Sequence, residues 1–375
     1  MIKQEPVTLT ARDGAQFEAM LHYDESAARK TAFLMMHPSS DWRQQFLLAP
    51  LAARGFGALG CANRYSEREA ELILEDTLLD WAACVDHLKA KGFEKIIGIG
   101  YSGGGEIAAG YQSEALNPTI TGSPLSDSPD LTKLDLRPMD GLVMLNAHAG
   151  RPFSLTIGLD PSVGGESGND PLKYDPSLDM FNPKNGPPYP DEFRSRYRAA
   201  QIERNHKITR WCRDLIDQIK ATGNSLLKDI PIIIHRTDAN LGFLDRDPSD
   251  TSKREATRWG IDARVANYTP GPLRGPSTRL LVLTPRSWLS QRGLESSQFD
   301  LFRFLPNCKV PTLILWGTAD ATGSEHSERI AEISPDLERK FVRIEGGTHF
   351  MRGQADKQAE VVDNISMWVN ERGLD

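Results

Sequence analysis

The sequence predicts an α/β protein with a doubly wound, mostly parallel sheet that a long insertion interrupts. Three observations lead to this prediction. Short apolar runs alternate with segments of helical periodicity from about residue 30 to about residue 150. This alternation stops near Arg151, and it resumes near Cys308. Strands that alternate with helices in this way pair in parallel through right-handed crossovers.

The amino-terminal elements are predicted from turns and apolar patterns. Residues 6–23 predict a β-hairpin, because Asp13-Gly14 is a two-residue turn signal between two strand-like segments. The next strands are short, largely apolar runs of the kind that parallel sheets bury on both faces. They cover residues 32–36, 56–61, 95–100 and 141–145. Helical spacing predicts helices over 42–54 and 67–91, each followed by a glycine.

Residues 151–305 are predicted to form the insertion, which leaves 1–150 and 306–375 as the core. The insertion begins with an irregular segment rich in Pro, Gly, Asp and Asn, and about 150 residues are enough for a lobe of its own. Its predicted elements are an excursion over 151–190, a helix over 191–222, a strand over 230–235, turns over 236–275 and a helix near 287–293. After it, the pattern predicts strands over 312–316 and 340–344 and helices over 325–332 and 358–371.

Composition and charge exclude several classes of function. The chain has 375 residues, of which 39% are hydrophobic and 25% charged, and its formal charge of −7 argues against nucleic acid or an anionic membrane as the partner. No apolar stretch approaches a membrane span and no signal peptide begins the chain, so we expect a cytoplasmic protein. Four scattered cysteines without a CxxC pair indicate neither a zinc cluster nor a disulfide framework, and we expect no metal or other cofactor. A homo-oligomer is left open.

The segment GYSGG, centred on Ser102, fits the pattern G-x-S-x-G. Alone, such a match is weak evidence in a glycine-rich chain, but the run KIIGIG before it predicts a strand and the residues after it begin a helix. A nucleophile at such an elbow needs glycine on either side, because strand and helix approach closely. The alternative is a phosphate-cradling loop, although the spacing matches neither the dinucleotide nor the P-loop fingerprint.

A serine hydroxyl is a poor nucleophile, so a base and an orienting acid are required. The run LWGTAD predicts a buried strand and a turn that carries Asp320, and GGTHF places His349 after the last predicted strand. In this order the three residues resemble the nucleophile, acid and histidine of the α/β-hydrolase superfamily. The resemblance implies an eight-stranded sheet and a catalytic triad of Ser102, Asp320 and His349. Some members of the superfamily place the acid after the strand that corresponds to residues 141–145, and because no carboxylate follows that strand in this chain, the resemblance favours Asp320.

The resemblance also indicates where the donors of an oxyanion hole lie. One is the backbone N–H of Gly103, and the other comes from the loop after the strand over 32–36, where the chain has HPSS in place of the usual His-Gly. Because proline has no N–H, we expect the second donor at Ser39, with Ser40 as the alternative. His37 is interpreted as a residue that anchors this loop. The candidates for the substrate pocket are His37, Ser40, Tyr101, Asn146, His148, His235 and Tyr268.

The resemblance implies attack of Ser102 on a carboxylic ester, thioester or lactone. Large insertions in this superfamily act as mainly helical caps over the site, which implies a discrete small or medium organic substrate as the partner. The alternatives on the same triad are an acyltransferase and a carbon–carbon bond hydrolase. A ligand-sensing protein that retains the fold is the alternative outside catalysis. Neither fold nor triad identifies the substrate.

Overall fold

A computed structural model describes residues 1–125, 128–243, 280–320, 324–333 and 339–375 of the chain. The chain divides into two compact units. The first comprises residues 1–150 and 299–375, and the second comprises residues 151–298. Residues 299–305, which the sequence pattern assigns to the insertion, thus lie in the first unit. Phe299 and Phe304 are buried in its core, where they pack beside Gly110.

An eight-stranded sheet forms the centre of the first unit. Its strands are β1 (Ile2–Thr10), β2 (Gln16–Asp24), β3 (Thr31–Met36), β4 (Gly57–Ala62), β5 (Lys95–Tyr101), β6 (Gly141–Leu145), β11 (Thr312–Gly317) and β12 (Arg339–Ile344). Their order across the sheet is β1-β2-β4-β3-β5-β6-β11-β12. The pairs β1·β2 and β2·β4 are antiparallel, and the other neighbouring pairs are parallel. The predicted mostly parallel eight-stranded sheet is therefore confirmed.

Helices cover both faces of this sheet. They are α1 (Leu48–Ala52), α2 (Leu74–Ala90), α3 (Gly104–Leu116), α7 (Leu301–Phe304), α8 (Ser324–Glu332) and α9 (Ala355–Glu371). Successive side chains of a strand point to opposite faces, and in β3 Leu34 belongs to the apolar cluster with α2 and α3, whereas Phe33 belongs to the cluster with α9. This is the doubly wound arrangement. Within the described ranges, no helix is long and apolar enough to cross a membrane.

Two helices are shorter in the structure than the sequence pattern predicts. Only Leu48–Ala52 is helical within 42–54, because the N–H of Trp42 donates to the carbonyl of Cys61 and the indole is buried against the sheet. The helix predicted from residue 67 begins at Leu74. Glu67 has a φ of 62°, which a helix does not accommodate, and Ile73 is extended. In both segments tertiary packing overrides the local apolar pattern.

The second unit is built around one long helix. Among its described residues the helices are α4 (Arg151–Thr156), α5 (Asp191–Ala221) and α6 (Pro285–Gln291), and the strands are β7 (Val163–Gly164), β8 (Asp170–Tyr174), β9 (Ile232–Ile234) and β10 (Leu281–Leu283). The strands form two small antiparallel sheets, β7·β8 and β9·β10. The predicted irregular segment thus includes a short helix and a hairpin.

A buried ion pair lies within this unit. The Nη2 atom of Arg236 lies 2.6 Å from Oδ2 of Asp160, and both side chains are almost fully buried. Burial raises the pKa of Asp160, and the guanidinium of Arg236 opposes that rise. Arg204 donates hydrogen bonds to the backbone carbonyls of Asp160 and Gly168, and burial lowers its pKa to about 10. Buried charges are costly unless they are paired or hydrogen-bonded, and the bonds from Arg204 connect α5 to the loops that carry Asp160 and Gly168.

Candidate active site

Ser102 lies at the turn between β5 and α3, with a φ of 56°. This left-handed conformation is strained for a residue other than glycine. The strand and the helix approach so closely that a Cβ on Gly100 would lie 2.7 Å from the Cα of Gly105. A Cβ on Gly104 would collide with the backbone oxygen of Met36. The segment GYSGG therefore forms the tight strand-to-helix turn that its glycines permit.

Ser102, His349 and Asp320 form a continuous series of hydrogen bonds. The Oγ of Ser102 lies 2.8 Å from Nε2 of His349, and Nδ1 of His349 lies 2.8 Å from Oδ2 of Asp320. Asp320 follows β11 and His349 follows β12, so parallel strand order brings them to the same edge of the sheet. The distances fit an imidazole that donates to the carboxylate and accepts from the hydroxyl.

All three side chains are buried: Ser102 is 3% exposed, Asp320 1% and His349 0%. Hydrogen bonds between groups withdrawn from water are stronger electrostatically than exposed ones. The carboxylate is therefore placed to stabilise a positive charge on the imidazole. Chemically, the arrangement can move a proton from the hydroxyl to the ring.

Two side chains hold the backbone carbonyl of His349. The hydroxyl of Tyr101 donates to it at 2.5 Å, and Nδ2 of Asn146 donates to it at 2.9 Å. The Oδ1 atom of Asn146 accepts from the N–H of Gly317 at 2.8 Å. Asn146 thus connects the end of β11 to the histidine loop. The sequence suggests Tyr101 and Asn146 as pocket candidates, and in the structure both are fully buried and support this loop.

Gln354 also supports the histidine loop, and the sequence offers no pattern that would single it out. Its Oε1 accepts from the N–H and the hydroxyl of Thr348, and its Nε2 donates to the carbonyl of Gly346 at 2.7 Å. The bond to Gly346 joins the two ends of the loop from Gly346 to Gln354. Only the folded loop reveals this role, because most of the partners are backbone groups.

The rings of two further histidines lie near His349 and the elbow. His148 stacks on His349 with a centroid distance of 5.3 Å and an interplanar angle of 22°, and its backbone N–H donates to the carbonyl of Ser102. His37 stacks on Trp42 at 5.3 Å and 13°. A side chain on Gly103 would meet Nε2 of His37 at 3.2 Å. The loop after β3 therefore adjoins the elbow.

The other residues that the sequence suggests for the site are Ser39, Ser40, His235 and Tyr268. Ser40 accepts a hydrogen bond at its carbonyl from the hydroxyl of Ser66, and the N–H of Ser39 donates to Nδ1 of His37. His235 belongs to the second unit, where burial and Arg204 lower its pKa. Tyr268 lies outside the described residues.

The side chains that commonly bind metals do not cluster in the described part of the chain. Within residues that the structure describes, no group of three or more His, Cys, Asp or Glu side chains is arranged to hold a metal ion. The polar side chains at the elbow instead bond to each other and to the backbone.

No protein-family model matches the chain, and no curated protein resembles it in sequence. Its structure is similar to that of the α/β-hydrolase GrgF from Penicillium sp. sh18, with a TM-score of 0.56 and 8% identity over 98% of both chains. A carboxyl esterase from Bacillus coagulans has a TM-score of 0.53 and 11% identity over 99% of this chain and 98% of its own. DcsB, solved with a substrate analogue, has a TM-score of 0.54 and 13% identity over 98% of this chain and 99% of its own. The chain has the α/β-hydrolase fold.

Proposed function

We propose that the protein is a serine hydrolase that cleaves a carboxylic ester, lactone or thioester of a small to medium organic molecule. The observation that carries the proposal is the hydrogen-bonded series Ser102–His349–Asp320, with 2.8 Å at each step. Serine needs an adjacent base to act as a nucleophile, and the base needs an orienting group. This series supplies both, and the helix that follows Ser102 favours negative charge beside it. Two proteins of the same fold are an α/β-hydrolase and a carboxyl esterase, which agrees with the proposal.

In the proposed reaction, Oγ of Ser102 attacks the carbonyl carbon while its proton passes to Nε2 of His349. Asp320 keeps the ring in the required tautomer and stabilises the imidazolium. His349 then protonates the departing oxygen or sulfur, and the tetrahedral intermediate collapses to an acyl-Ser102 ester. A water molecule deprotonated by His349 attacks that ester, and the proton returns to Ser102 as the acid is released.

We also propose that the second unit, residues 151–298, acts as a cap that limits the size of the substrate. Its place in the chain between β6 and β11 and its size of a small domain support this proposal. A series of p-nitrophenyl esters with acyl chains of increasing length tests it. A capped site predicts a maximum of kcat/KM at one chain length with a steep fall beyond it. A kcat/KM that is flat to long chains would contradict a cap.

The proposed activity is tested with a panel of chromogenic esters, thioesters and lactones. Ser102→Ala removes the nucleophile, and Ser113→Ala is the matched control, because both serines border or lie in α3 and each is 3% exposed. We expect repeated turnover by the wild type and by Ser113→Ala, and loss of at least ~10⁴-fold in kcat for Ser102→Ala. Undiminished hydrolysis by Ser102→Ala would refute the mechanism.

The same assay separates two of the alternatives, an acyltransferase and a ligand sensor. An acyltransferase forms more transesterified product than free acid when an alcohol acceptor is added, whereas a hydrolase releases mainly the acid. A ligand sensor gives a single slow cycle without repeated turnover. Either result would contradict the hydrolase assignment even if Ser102 became acylated.

A further inference from the structure

The loop after β3 offers few backbone donors for an oxyanion hole. Pro38 has no N–H, and the N–H of Ser39 points at the ring of His37, 3.3 Å from Nδ1. An oxyanion hole requires two preorganised donors, of which the N–H of Gly103 is one. The second donor that the sequence suggests, Ser39, is thus directed at an imidazole.

The bond from Ser39 determines which nitrogen of His37 carries the proton. A ring nitrogen that accepts an N–H bond has no proton of its own, so a neutral imidazole carries it on the other nitrogen. Nδ1 accepts from Ser39, and Nε2 is therefore the donor atom of His37. If the ring becomes protonated, Nε2 still donates.

The donor atom lies at the elbow. Nε2 of His37 is 3.2 Å from the position that a Cβ on Gly103 would occupy, slightly nearer than the ring of Pro38. Gly103 directly follows Ser102, and its own N–H is the first proposed donor. Gly103 has no side chain, so the ring of His37 can pack closely against it, and an added Cβ would be in tight contact with the ring. Nε2 of His37 thus lies next to the residue whose N–H is the first proposed donor.

The ring of His37 is held rigidly, as a preorganised donor must be. It stacks on Trp42, whose indole packs edge-on against Tyr101 at 5.2 Å. The amide of Asn63 donates to the carbonyls of His37 and Pro38 at 2.6 and 3.1 Å. These contacts fix both the backbone and the plane of the ring.

We propose that His37 is a catalytic residue whose Nε2–H donates a hydrogen bond to the oxyanion of the tetrahedral intermediate, together with the N–H of Gly103. The proposal rests on the serine hydrolase function proposed above. The resemblance to the superfamily implies that a backbone N–H of this loop is the second donor of the oxyanion hole. The proposal gives that role to the side chain of His37 instead. No bond to His37 forms or breaks in the reaction.

Two substitutions separate donation from packing. In His37→Gln the side-chain amide places an N–H near the position of Nε2, whereas in His37→Asn the shorter amide replaces only Nδ1. We expect His37→Asn to lower kcat ~10²- to 10³-fold with little change in KM, and His37→Gln to restore most of that loss. Equal losses in the two variants, or wild-type kcat in His37→Asn, would overturn the proposal. If His37→Asn is insoluble, His37→Phe replaces it, because it keeps the ring on Trp42 without a donor.

A thionoester substrate gives a readout that a structural role would not change. Sulfur is a weak hydrogen-bond acceptor, so an oxyanion hole stabilises the thionoester intermediate less than the oxygen one. We expect the ester-to-thionoester rate ratio to fall ~10-fold in His37→Asn and to stay at the wild-type value in Asp320→Asn. An unchanged ratio in His37→Asn would overturn the proposal for His37 alone. Absence of ester hydrolysis by the wild type would instead refute the underlying hydrolase function.

Discussion

The side-chain amide of Asn146 donates a hydrogen bond to the backbone carbonyl of His349 at 2.9 Å. Asn146 has a φ of 44°, a conformation that asparagine tolerates better than most residues. Its other amide atom accepts from the N–H of Gly317. One residue thus connects the end of β6, the end of β11 and the loop that carries the proposed base.

Asn146→Asp tests this connection, because it keeps the acceptor for Gly317 and replaces the donor to His349 with a carboxylate oxygen. We expect kcat to fall ~10²-fold through displacement of His349, since errors of about 1 Å in a reacting group have that effect. Asn307→Ala is the control, because Asn307 donates to the carbonyl of Arg303 in an exposed turn. Ester hydrolysis at saturating substrate measures the effect, and a kcat within about twofold of the wild type would contradict the assigned role.

Asp320→Asn tests the orienting acid. The amide has almost the same shape as the carboxylate but can donate to Nδ1, which leaves the ring in the wrong tautomer to accept from Ser102. We expect kcat to fall ~10⁴-fold while the melting temperature changes little. Asp363→Asn, at an exposed carboxylate, is the control. Retention of activity in Asp320→Asn would place the acid elsewhere.

Gly104→Ala tests the close approach of strand and helix at the elbow. The added Cβ would collide with the backbone oxygen of Met36, which cannot move without distorting β3. We expect the unfolding free energy to fall by about 3 kcal/mol or more, at the upper end for overpacked sites. At Gly242 an added Cβ would meet its nearest atom at 3.4 Å, so Gly242→Ala serves as the control. Urea unfolding measures both variants, and equal stabilities would contradict the close contact between Gly104 and β3.

The buried carboxyl group of Asp80 leads us to predict how the unfolding free energy depends on pH. It is fully buried in α2, where Arg64 donates to it from the backbone and from the guanidinium. Burial raises the pKa of Asp80 to about 6, although the bonds from Arg64 oppose the rise. The ordinary pKa of an aspartate is about 3.9, so between the two values the folded protein binds more protons than the unfolded chain. The contribution of Asp80 to the unfolding free energy therefore decreases as pH rises from about 4 to about 6.

Comparison of the wild type with Asp80→Asn isolates this contribution, because asparagine does not titrate. We expect the wild-type unfolding free energy, minus that of the variant, to fall by about 3 kcal/mol across that interval, as two pKa units imply. Urea titrations at about pH 4, 5, 6 and 7 measure it. A difference that rises with pH would mean that the pKa of Asp80 is lowered in the folded protein.

The elbow and the positions of the strands along the chain can be predicted from sequence because each depends on local signals. Glycines around Ser102 reflect a steric requirement, and the apolar runs before Asp320 and His349 reflect burial on both faces of a parallel sheet. The lengths of the helices are harder to predict from the sequence. The segment that begins at Trp42 has helical spacing, but its first residues pack on β4 through a backbone bond that no local pattern encodes.

The supporting contacts of the site could not be predicted for a related reason. Gln354 and Asn146 act on backbone groups, and such partners leave no pattern of residue types. The tautomer of His37 likewise depends on where one N–H points in the folded loop. The sequence indicates which residues carry reactive groups, whereas the fold determines how those groups are oriented.

Covalent labelling tests most directly whether Ser102 is the nucleophile. The wild-type protein is treated with a fluorophosphonate, digested, and mapped by mass spectrometry. We predict a single phosphonyl adduct on the peptide that contains Ser102, and none in Ser102→Ala. Failure of the wild type to react, or an adduct on a different residue, would contradict the assignment of Ser102.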